Sequence, residues 1–262
     1  MASLLFCSLC VLSGVVWVLG MCVLLWWLEG GQREITTHTY DTAKQLNSII
    51  TPYLPTKYQI NSTDDFLSIL HTTRPTGFLS SLDVESLFTN VPVTDTINII
   101  CNNIYNQTTI PHPPIPRDIL AKLLIACTTK YPFTHINGDL YLQQDGMSMG
   151  SPLGVTFANF YMTHVENNIF ELNPSLKPTV FCHYVDDCFI VVEDIEELLV
   201  LKQTFKSNSV LQFMHETGIN NKINFLDVHI TSEKDNYLTS VFQKPTNFGI
   251  YLHYNSECLI KI

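Results

Sequence analysis

The chain has 262 residues, of which 46% are hydrophobic and 15% are charged, and its formal net charge is −10 at pH 7. This length suits one domain of ordinary size or a piece of a larger protein, and the apolar content is enough for a real hydrophobic core. Because a polymer of phosphates attracts a basic partner, the acidic balance disfavours a self-sufficient nucleic-acid binder.

The N-terminal segment is apolar and uncharged over residues 2–28. A bilayer is crossed by about 20 apolar residues, and Trp26 and Trp27 lie where the aromatic belt of a membrane interface would be. Residues 4–28 are therefore predicted to form a hydrophobic helix that spans a membrane. A cleaved signal peptide fits less well because no basic region precedes the run. A buried core helix is disfavoured because the segment is hydrophobic on all sides.

The pattern after residue 33 is that of a soluble protein rich in helices. Apolar residues at helical spacing predict helices over residues 39–54, 62–72, 93–107 and 116–131. Ser62 or Thr63 is suited to cap the second of these helices. Between the second and third helices, residues 77–88 alternate like a strand that runs into a turn.

The second half of the chain adds strands. Asn137-Gly138 suits a tight turn between two alternating arms and predicts a hairpin. One helix is predicted over residues 151–172, after a loop that contains several glycines. Another is predicted over residues 193–208, an amphipathic segment with acidic residues in its first turn. Strands are predicted over residues 181–192, 210–217, 223–230 and 237–244, the first of them broken by a short turn. The sum is an α+β fold, a sheet of mostly antiparallel strands with packed helices, preceded by the N-terminal hydrophobic helix.

The cysteines do not predict a metal site. Cys7 and Cys10 form a Cys-x-x-Cys pair inside the apolar N-terminus, with neither a second pair nor a nearby histidine to complete a zinc site. The cysteines outside that segment are scattered, most of them in apolar surroundings. They are typical of small core residues in a reducing compartment.

Two adjacent carboxylates, Asp186 and Asp187, interrupt the apolar hairpin FCHYVDDCFIVV. They repel each other and cost desolvation energy, although an ordinary turn is the alternative, since Asp is common in turns. A third carboxylate, Asp83, lies late in the strand predicted over residues 77–88. If the two strands are neighbours, the three acids need cations, and Mg²⁺ is the natural counter-ion for oxygen ligands. Two such ions about 4 Å apart stabilise an attacking 3′-hydroxyl and a leaving pyrophosphate.

Three segments stand in the order and spacing of reverse transcriptase motifs A, B and C: SLDVESLFTNVP, QQDGMSMGSPLGVTFANFYM and YVDDCFIVV. Their amino-acid sequences resemble those of the Penelope-like retroelement family, and the resemblance extends to FTHINGDLYLQQDG, NFLDVHI and VFQKPTNFGIYLHYNS. It covers residues 34–262. The resemblance implies a polymerase palm-like sheet and RNA-directed DNA polymerase activity by two-metal nucleotidyl transfer. It also implies two Mg²⁺ ions as cofactors, with an RNA template, a DNA primer and deoxynucleoside triphosphates as partners.

The resemblance implies a role for individual residues of motifs A and C. Asp83, Asp186 and Asp187 would be the catalytic metal ligands, and the carbonyl of Val84 would add a ligand. Phe88 stands where an aromatic ring lies under the incoming sugar, so its bulk would exclude a 2′-hydroxyl and select deoxynucleotides. Plain core packing is the alternative reading of Phe88.

Two further segments carry implied roles. The loop that lets the template and the incoming base approach the backbone corresponds to Gly150, Ser151 and Pro152. The hairpin that grips the primer strand corresponds to Phe225, Leu226 and Asp227. Lys244, within a Lys-Pro-Thr sequence, is placed to meet a phosphate, with an ordinary surface lysine as the alternative.

The likeness also has gaps. The fingers of reverse transcriptases carry basic residues upstream of motif A, whereas between residues 33 and 83 this chain has only Arg33, Lys44, Lys57 and Arg74. We therefore expect a palm with its primer-grip region, with the fingers and thumb largely missing. Two functions remain open: a retroelement reverse transcriptase domain, or a catalytically inactive relic of its palm, tethered to a membrane if residues 4–28 span one. The location would be a membrane if residues 4–28 are a genuine span, and otherwise the nucleus or the cytoplasm.

Overall fold

The computed structural model describes residues 38–129, 132–134, 139–233 and 236–244. Three sequence predictions fall outside these residues: the hydrophobic helix over 4–28, the Asn137-Gly138 turn and the family likeness beyond residue 244. Among the helices that the structure describes, none combines the length and the apolar character needed to cross a membrane.

The helices form where apolar residues recur at helical spacing. In chain order they are α1 (His38–Ile50), α2 (Thr63–Thr73), α3 (Leu87–Asn90), α4 (Val93–Tyr105), α5 (Arg117–Thr128), α6 (Gly154–Leu172) and α7 (Ile195–Asn208). Ser62 caps α2 by accepting a hydrogen bond from the backbone N–H of Asp65, as the sequence predicts. Helix α6 begins at Gly154 and not at Ser151, because Ser151 closes a turn with the carbonyl of Ser148.

The strands pair into three antiparallel sheets. They are β1 (Phe78–Val84), β2 (Pro132–Thr134), β3 (Leu140–Leu142), β4 (Val180–Tyr184), β5 (Asp187–Val192), β6 (Phe213–Thr217), β7 (Lys222–Phe225), β8 (Val228–Glu233) and β9 (Asn236–Val241). The central sheet has the order β4-β5-β1-β6, and the smaller sheets are β2-β3 and β7-β8-β9. The prediction of antiparallel strands with packed helices is therefore confirmed. The single strand predicted over residues 223–230 is wrong, because Leu226, with φ of 52°, turns the chain back between β7 and β8.

The central sheet has a hydrophobic core on each face. Side chains alternate along its strands, so Leu82 and Ile190 belong to a larger core that α1 and the helices α4 to α7 cover. Leu79 and Phe189 point the other way, into a smaller core shared with α2 and with the sheet β7-β8-β9. Because both faces are packed, the end of the sheet is the part left for chemistry.

Three aromatic rings tie the smaller core together. The ring of Phe66 in α2 lies 4.9 Å from that of Phe189 in β5 and 4.8 Å from that of Phe225 in β7. The rings of Phe189 and Phe225 are 5.4 Å apart. This cluster holds the β7–β8 hairpin against the face of β5, two residues from Asp187.

Replacing Phe66 by Ala should lower the free energy of unfolding by about 3–5 kcal/mol, because it empties a fully buried site between two other rings. Urea unfolding followed by circular dichroism measures this change. The matched control is Ser68→Ala on the exposed side of the same helix, which should change stability by less than about 0.5 kcal/mol. Equal effects of the two variants would contradict the packing described for the smaller core.

Candidate active site

Asp83 in β1 and Asp187 in β5 lie directly opposite each other on neighbouring antiparallel strands. The backbone N–H of Val84 donates to the carbonyl of Asp186 at 3.0 Å. This bond marks Asp83 and Asp187 as a non-hydrogen-bonded pair, the position where opposed Cα atoms are only about 4.5 Å apart and both side chains leave the same face. The two strands that carry the acids are thus neighbours, as the sequence argument requires.

A row of four side chains crosses the end of the central sheet, and we call it the acidic row. The register places Tyr184, Asp187, Asp83 and Met214 side by side on β4, β5, β1 and β6. Tyr184 and Met214 are 38% and 39% exposed, whereas the two aspartates between them are partly buried. The row therefore presents a pair of acids to solvent, flanked by an aromatic ring and a thioether.

Burial and mutual repulsion make these acids hard to ionise. Burial raises the pKa of Asp187 to about 7, and the charges of Asp186 and Asp83 add to the effect. Burial also raises the pKa of Asp83 to about 6, with further contributions from Asp186, Glu216 and Glu85. Burial raises the pKa of Asp186 as well. A cation is the ordinary way to relieve such a site.

Lys244 is brought to the carboxylates by the fold. It lies three residues beyond β9, and its positive charge lowers the pKa of Asp83, Asp186 and Asp187 against the effect of burial. The side chain is exposed. A long, exposed lysine beside three acids can meet an anionic group that approaches them, which is the position that the sequence argument expects of a phosphate contact.

The donor chemistry of the site suits a hard divalent cation, since the side chains are carboxylates. Within the part of the chain that the structure describes, no group of three or more His, Cys, Asp and Glu side chains is arranged to hold a metal ion. The described residues thus provide an opposed pair of partly buried carboxylates with Lys244 near them.

The turns around the acids are conformationally strained. Ser86, Val185 and Leu226 have φ of 52°, 56° and 52°. Positive φ is unfavourable for any residue with a Cβ and most of all for a β-branched one, which makes Val185 the severest case. Such strain persists only where the surrounding structure over-determines it, and it clusters at functional sites.

Phe88 lies against the loop that resembles motif B. Its carbonyl accepts a hydrogen bond from the backbone N–H of Met147 at 2.6 Å. A methyl group added to Gly154 would lie 3.5 Å from the ring of Phe88, so the ring packs over the start of α6. The ring is partly buried and also touches the larger core. The position of the Phe88 ring is therefore compatible with both interpretations, a wall of a nucleotide site and a core residue.

The loop between β3 and α6 depends on two glycines. Gly146 has φ of 75°, and a Cβ there would lie 2.4 Å from the carbonyl oxygen of Thr89. Gly150 has φ of 88° and is exposed. Ser151 and Pro152 are partly buried, and the hydroxyl of Ser151 accepts from the backbone N–H of Leu153 at 3.3 Å. The loop is therefore docked onto the segment that follows β1, while Gly150 offers bare backbone to solvent.

The residues predicted to grip a primer differ in exposure, since Phe225 is buried, Leu226 is partly buried against the smaller core and Asp227 is exposed. Phe225 is 3% exposed, within the aromatic cluster of the smaller core. Leu226 and Asp227 form the two-residue turn between β7 and β8, and the carbonyl of Asp227 accepts from the backbone N–H of Phe242. The resemblance implies a hairpin here, and β7 and β8 form one, with the exposed side chain of Asp227 in its turn.

Sequence reasoning missed two acids near the row. Glu216 lies on β6 opposite Ser81, on the face that Asp83 shares, and Glu85 follows Asp83 by two residues. The charges of both raise the pKa of Asp83. The spacing Asp-Val-Glu offered a signal for Glu85, but Glu216 is brought in by the pairing of β6 with β1, which its local sequence does not reveal. The side chain of Val84 is buried in the larger core.

The family model for reverse transcriptase (RNA-dependent DNA polymerase) matches residues 30–229 of the chain. No curated protein matches this chain in sequence. The match to the family model covers all three motifs that carry the acids and the glycine loop.

Solved polymerase structures share the fold. Telomerase from Candida albicans, in complex with a fragment of telomeric RNA, is similar with a TM-score of 0.59 and 11% identity, over 79% of this chain and 40% of that one. Apo telomerase from Candida tropicalis, truncated from its C-terminal domain, gives a TM-score of 0.54 and 14% identity, over 79% of this chain and 46% of that one. The BmCPV RNA-dependent RNA polymerase gives 0.50 and 13%, over 74% and 19%. The chain thus spans less than half the length of these structures, and at such identities the likeness concerns the fold alone.

The stability of the protein should fall as pH rises from about 4 to about 7 in the presence of EDTA. The pKa values of Asp83 and Asp187, about 6 and about 7 when folded, lie above the usual carboxyl range, so the folded state holds more protons than the unfolded chain in this window. Urea unfolding at several pH values measures the slope. The variant Asp83→Asn with Asp187→Asn should flatten it, and an identical slope in wild type and variant would contradict the electrostatics described for the row.

Proposed function

Because the chain belongs to the reverse transcriptase (RNA-dependent DNA polymerase) family, we propose that residues 34–262 form the reverse-transcriptase unit of a retroelement that copies an RNA template into DNA from a DNA primer. The proposed subfamily is that of the Penelope-like retroelements. This assignment is supported by the amino-acid sequences of the three motifs and of the segments around them. The proposed substrates are deoxynucleoside triphosphates.

One observation carries the proposal: the opposition of Asp83 and Asp187 at an accessible end of a sheet that is packed on both faces. Like charges placed directly opposite each other on neighbouring strands are destabilising. Their pKa values are raised by burial and by one another. An arrangement that costs stability in the absence of a ligand is the kind that a functional site retains.

Asp83, Asp186 and Asp187, with the carbonyl of Val84, are the residues we propose to hold Mg²⁺. Two Mg²⁺ ions, when bound, would activate the 3′-hydroxyl of a primer and neutralise the charge on the leaving pyrophosphate. The chain's own contribution is to keep the acids together. The β1–β5 pairing places Asp83 opposite Asp187, and the Val185 turn presents Asp186 beside them. Lys244 adds a positive charge that can meet the triphosphate.

The remaining residues are proposed to position the substrates. Phe88 would lie under the incoming sugar, and the exposed backbone at Gly150 would allow the base pair to approach closely. The two-residue tip at Leu226 and Asp227 would touch the primer strand, anchored through Phe225 to the face of β5. In this arrangement the sheet end, the loop and the hairpin surround the acidic row.

A second function, a palm that no longer catalyses, has its own support. The formal net charge of −10 opposes binding of a polyanion. This alternative predicts a folded domain that incorporates no nucleotide.

Purified protein should extend a DNA primer on an RNA template when Mg²⁺ or Mn²⁺ is added, and the variant Asp186→Ala with Asp187→Ala should lose this activity by about 10²–10³-fold or more, since it removes two of the proposed metal ligands. Incorporation of labelled deoxynucleotide measures the effect. The control is another pair of adjacent acids, Asp64 and Asp65, which are exposed in the first turn of α2.

Replacing that control pair by Ala should leave incorporation within about threefold of wild type. Equal activity in the Asp186/Asp187 variant and in wild type would rule out the proposed mechanism. Absence of incorporation in the folded wild type, with template and both metals supplied, would favour the inactive palm.

Phe88→Ala should raise the ratio of ribonucleotide to deoxynucleotide incorporation by about tenfold or more, because the smaller side chain leaves room for a 2′-hydroxyl. Phe88→Tyr keeps the ring and serves as the control with an unchanged ratio. The measurement is single-nucleotide extension with each nucleotide in turn. An unchanged ratio together with a lower free energy of unfolding would assign Phe88 to core packing alone.

A further inference from the structure

A buried polar pair lies behind the acidic hairpin, on the face of β4 opposite to the acidic row. Nδ1 of His183 is 2.7 Å from Oε1 of Glu166, and both side chains are fully buried. No described polar atom completes a well-aligned hydrogen bond with the carboxylate or the imidazole of this pair. We call it the Glu166–His183 pair. It joins the middle of α6 to the strand that leads into the Val185 turn.

Stability alone does not account for this pair. Taking two charged or polar groups out of water costs free energy, and apolar side chains of similar volume in their place are often neutral or stabilising. After burial, the charge of Glu166 is the next cause that raises the pKa of Cys182 and Cys188, so the carboxylate lies close to both strands of the hairpin. What such a pair can provide is a single register, since only one arrangement of the strand places the imidazole of His183 beside the carboxylate of Glu166.

The strand that needs a register is β4, because it is the edge of the central sheet. On its outer side it has one parallel bridge, between Gln59 and His183. There the backbone N–H of His183 donates to Tyr58, and its carbonyl accepts from Ile60, both at 2.9 Å. A slip by one residue would turn every side chain of the strand to the other face. It would leave the carboxylate of Glu166 buried without its partner.

The turn that β4 enters is the strained one. Val185 has φ of 56°, and only Tyr184 separates it from His183. A β-branched residue keeps this conformation only where neighbouring contacts hold it there. His183 is the nearest residue of β4 with contacts on three sides: α6 through its side chain, residues 58–60 through its backbone, and Cys188 of β5 through strand pairing.

Helix α6 connects this anchor to the other half of the site. It starts at Gly154, beside the ring of Phe88, and Glu166 lies twelve residues further along. At 1.5 Å per residue this is about 18 Å of continuous helix. The glycine loop and the acidic hairpin are therefore fastened to two points of one rigid element.

We propose that the Glu166–His183 pair is a positioning pair. It holds β4 on α6 in the one register that keeps the Val185 turn in place, and with it Asp187 opposite Asp83 and Asp186 beside them. The statement about the hairpin depends on the fold alone. Its consequence for nucleotide transfer rests on the function proposed above.

The first test removes the pair without leaving a buried charge, in the full chain carrying Glu166→Leu and His183→Leu. Hydrogen exchange measured by mass spectrometry should speed up by about tenfold or more at residues 180–192 and stay unchanged at residues 93–105, because opening becomes easier only at the hairpin. The control is Asp118→Ala with Lys122→Ala, which removes an exposed ion pair on α5 and should change neither segment. Unchanged exchange at residues 180–192, or equal acceleration in both segments, overturns the proposal.

A second variant decides the matter if the double replacement does not fold. Glu166→Gln keeps the volume and an acceptor oxygen but removes the charge. Faster exchange confined to residues 180–192 then supports the positioning role, and uniform acceleration or none overturns it.

Activity provides the second readout. If the wild type extends a primer, kcat of the double Leu variant should fall by about tenfold or more, because the acids are displaced. KM for the nucleotide should stay within about threefold of wild type, because the loop between β3 and α6 is not displaced. A rise in KM for the nucleotide with an unchanged kcat overturns the positioning role. If wild type extends no primer, the proposed function fails, and the exchange comparison still decides the role of the pair.

Discussion

The structure depends on one unfavourable interaction, the placement of two carboxylates opposite each other on adjacent strands. Asp83 and Asp187 occupy a position where opposed residues come closest, and burial deprives them of the solvent that would screen their charges. Everything around the pair opposes its separation. One core presses on each face of the sheet, and β1 is held on both sides by β5 and β6. The packing of the molecule thus supplies the stability that the charge pair removes.

The strained turns follow from the same constraint. Ser86 lies two residues after the end of β1, Val185 lies directly before the two acids, and Leu226 lies at the turn of the hairpin held on β5. Each is a residue with a side chain in a conformation that glycine would adopt more easily. Strain at these points is retained because strands of the central sheet and an aromatic cluster fix the chain on either side of each turn. A relaxed turn would present its side chains in a different direction.

The shared fold with telomerases and a viral RNA polymerase concerns a sheet with packed helices, and this chain spans less than half of each of those structures. The acids of the sheet end need neither a basic surface nor a large protein to come together. Gripping a polyanion does need positive charge, and the chain is strongly acidic as a whole. The arrangement of the acids and the grip on nucleic acid are thus separate properties.

The sequence by itself determined most elements and the identity of the principal acids. Periodicity located the helices and strands because each buries one face, and Ser62 marked the start of α2 by its capping hydroxyl. Local sequence patterns predicted element boundaries wrongly where contacts between distant residues determine the backbone conformation. The strand predicted over residues 223–230 became a hairpin, since Leu226 carries no turn signal, and α6 started at Gly154 because Ser151 was used in the preceding turn.

Only the tertiary structure decided what meets at the site. The distance in sequence between Asp83 and Asp187 says nothing about register, which is set by the alternation of two cores and by strand pairing. Glu216 and Lys244 reach the acids because β6 and the segment after β9 end beside them, and Glu166 meets His183 because α6 crosses beneath β4. The sequence could name side chains with the right chemistry. Their juxtaposition is a property of the folded sheet, because it arises from contacts between residues far apart in the chain.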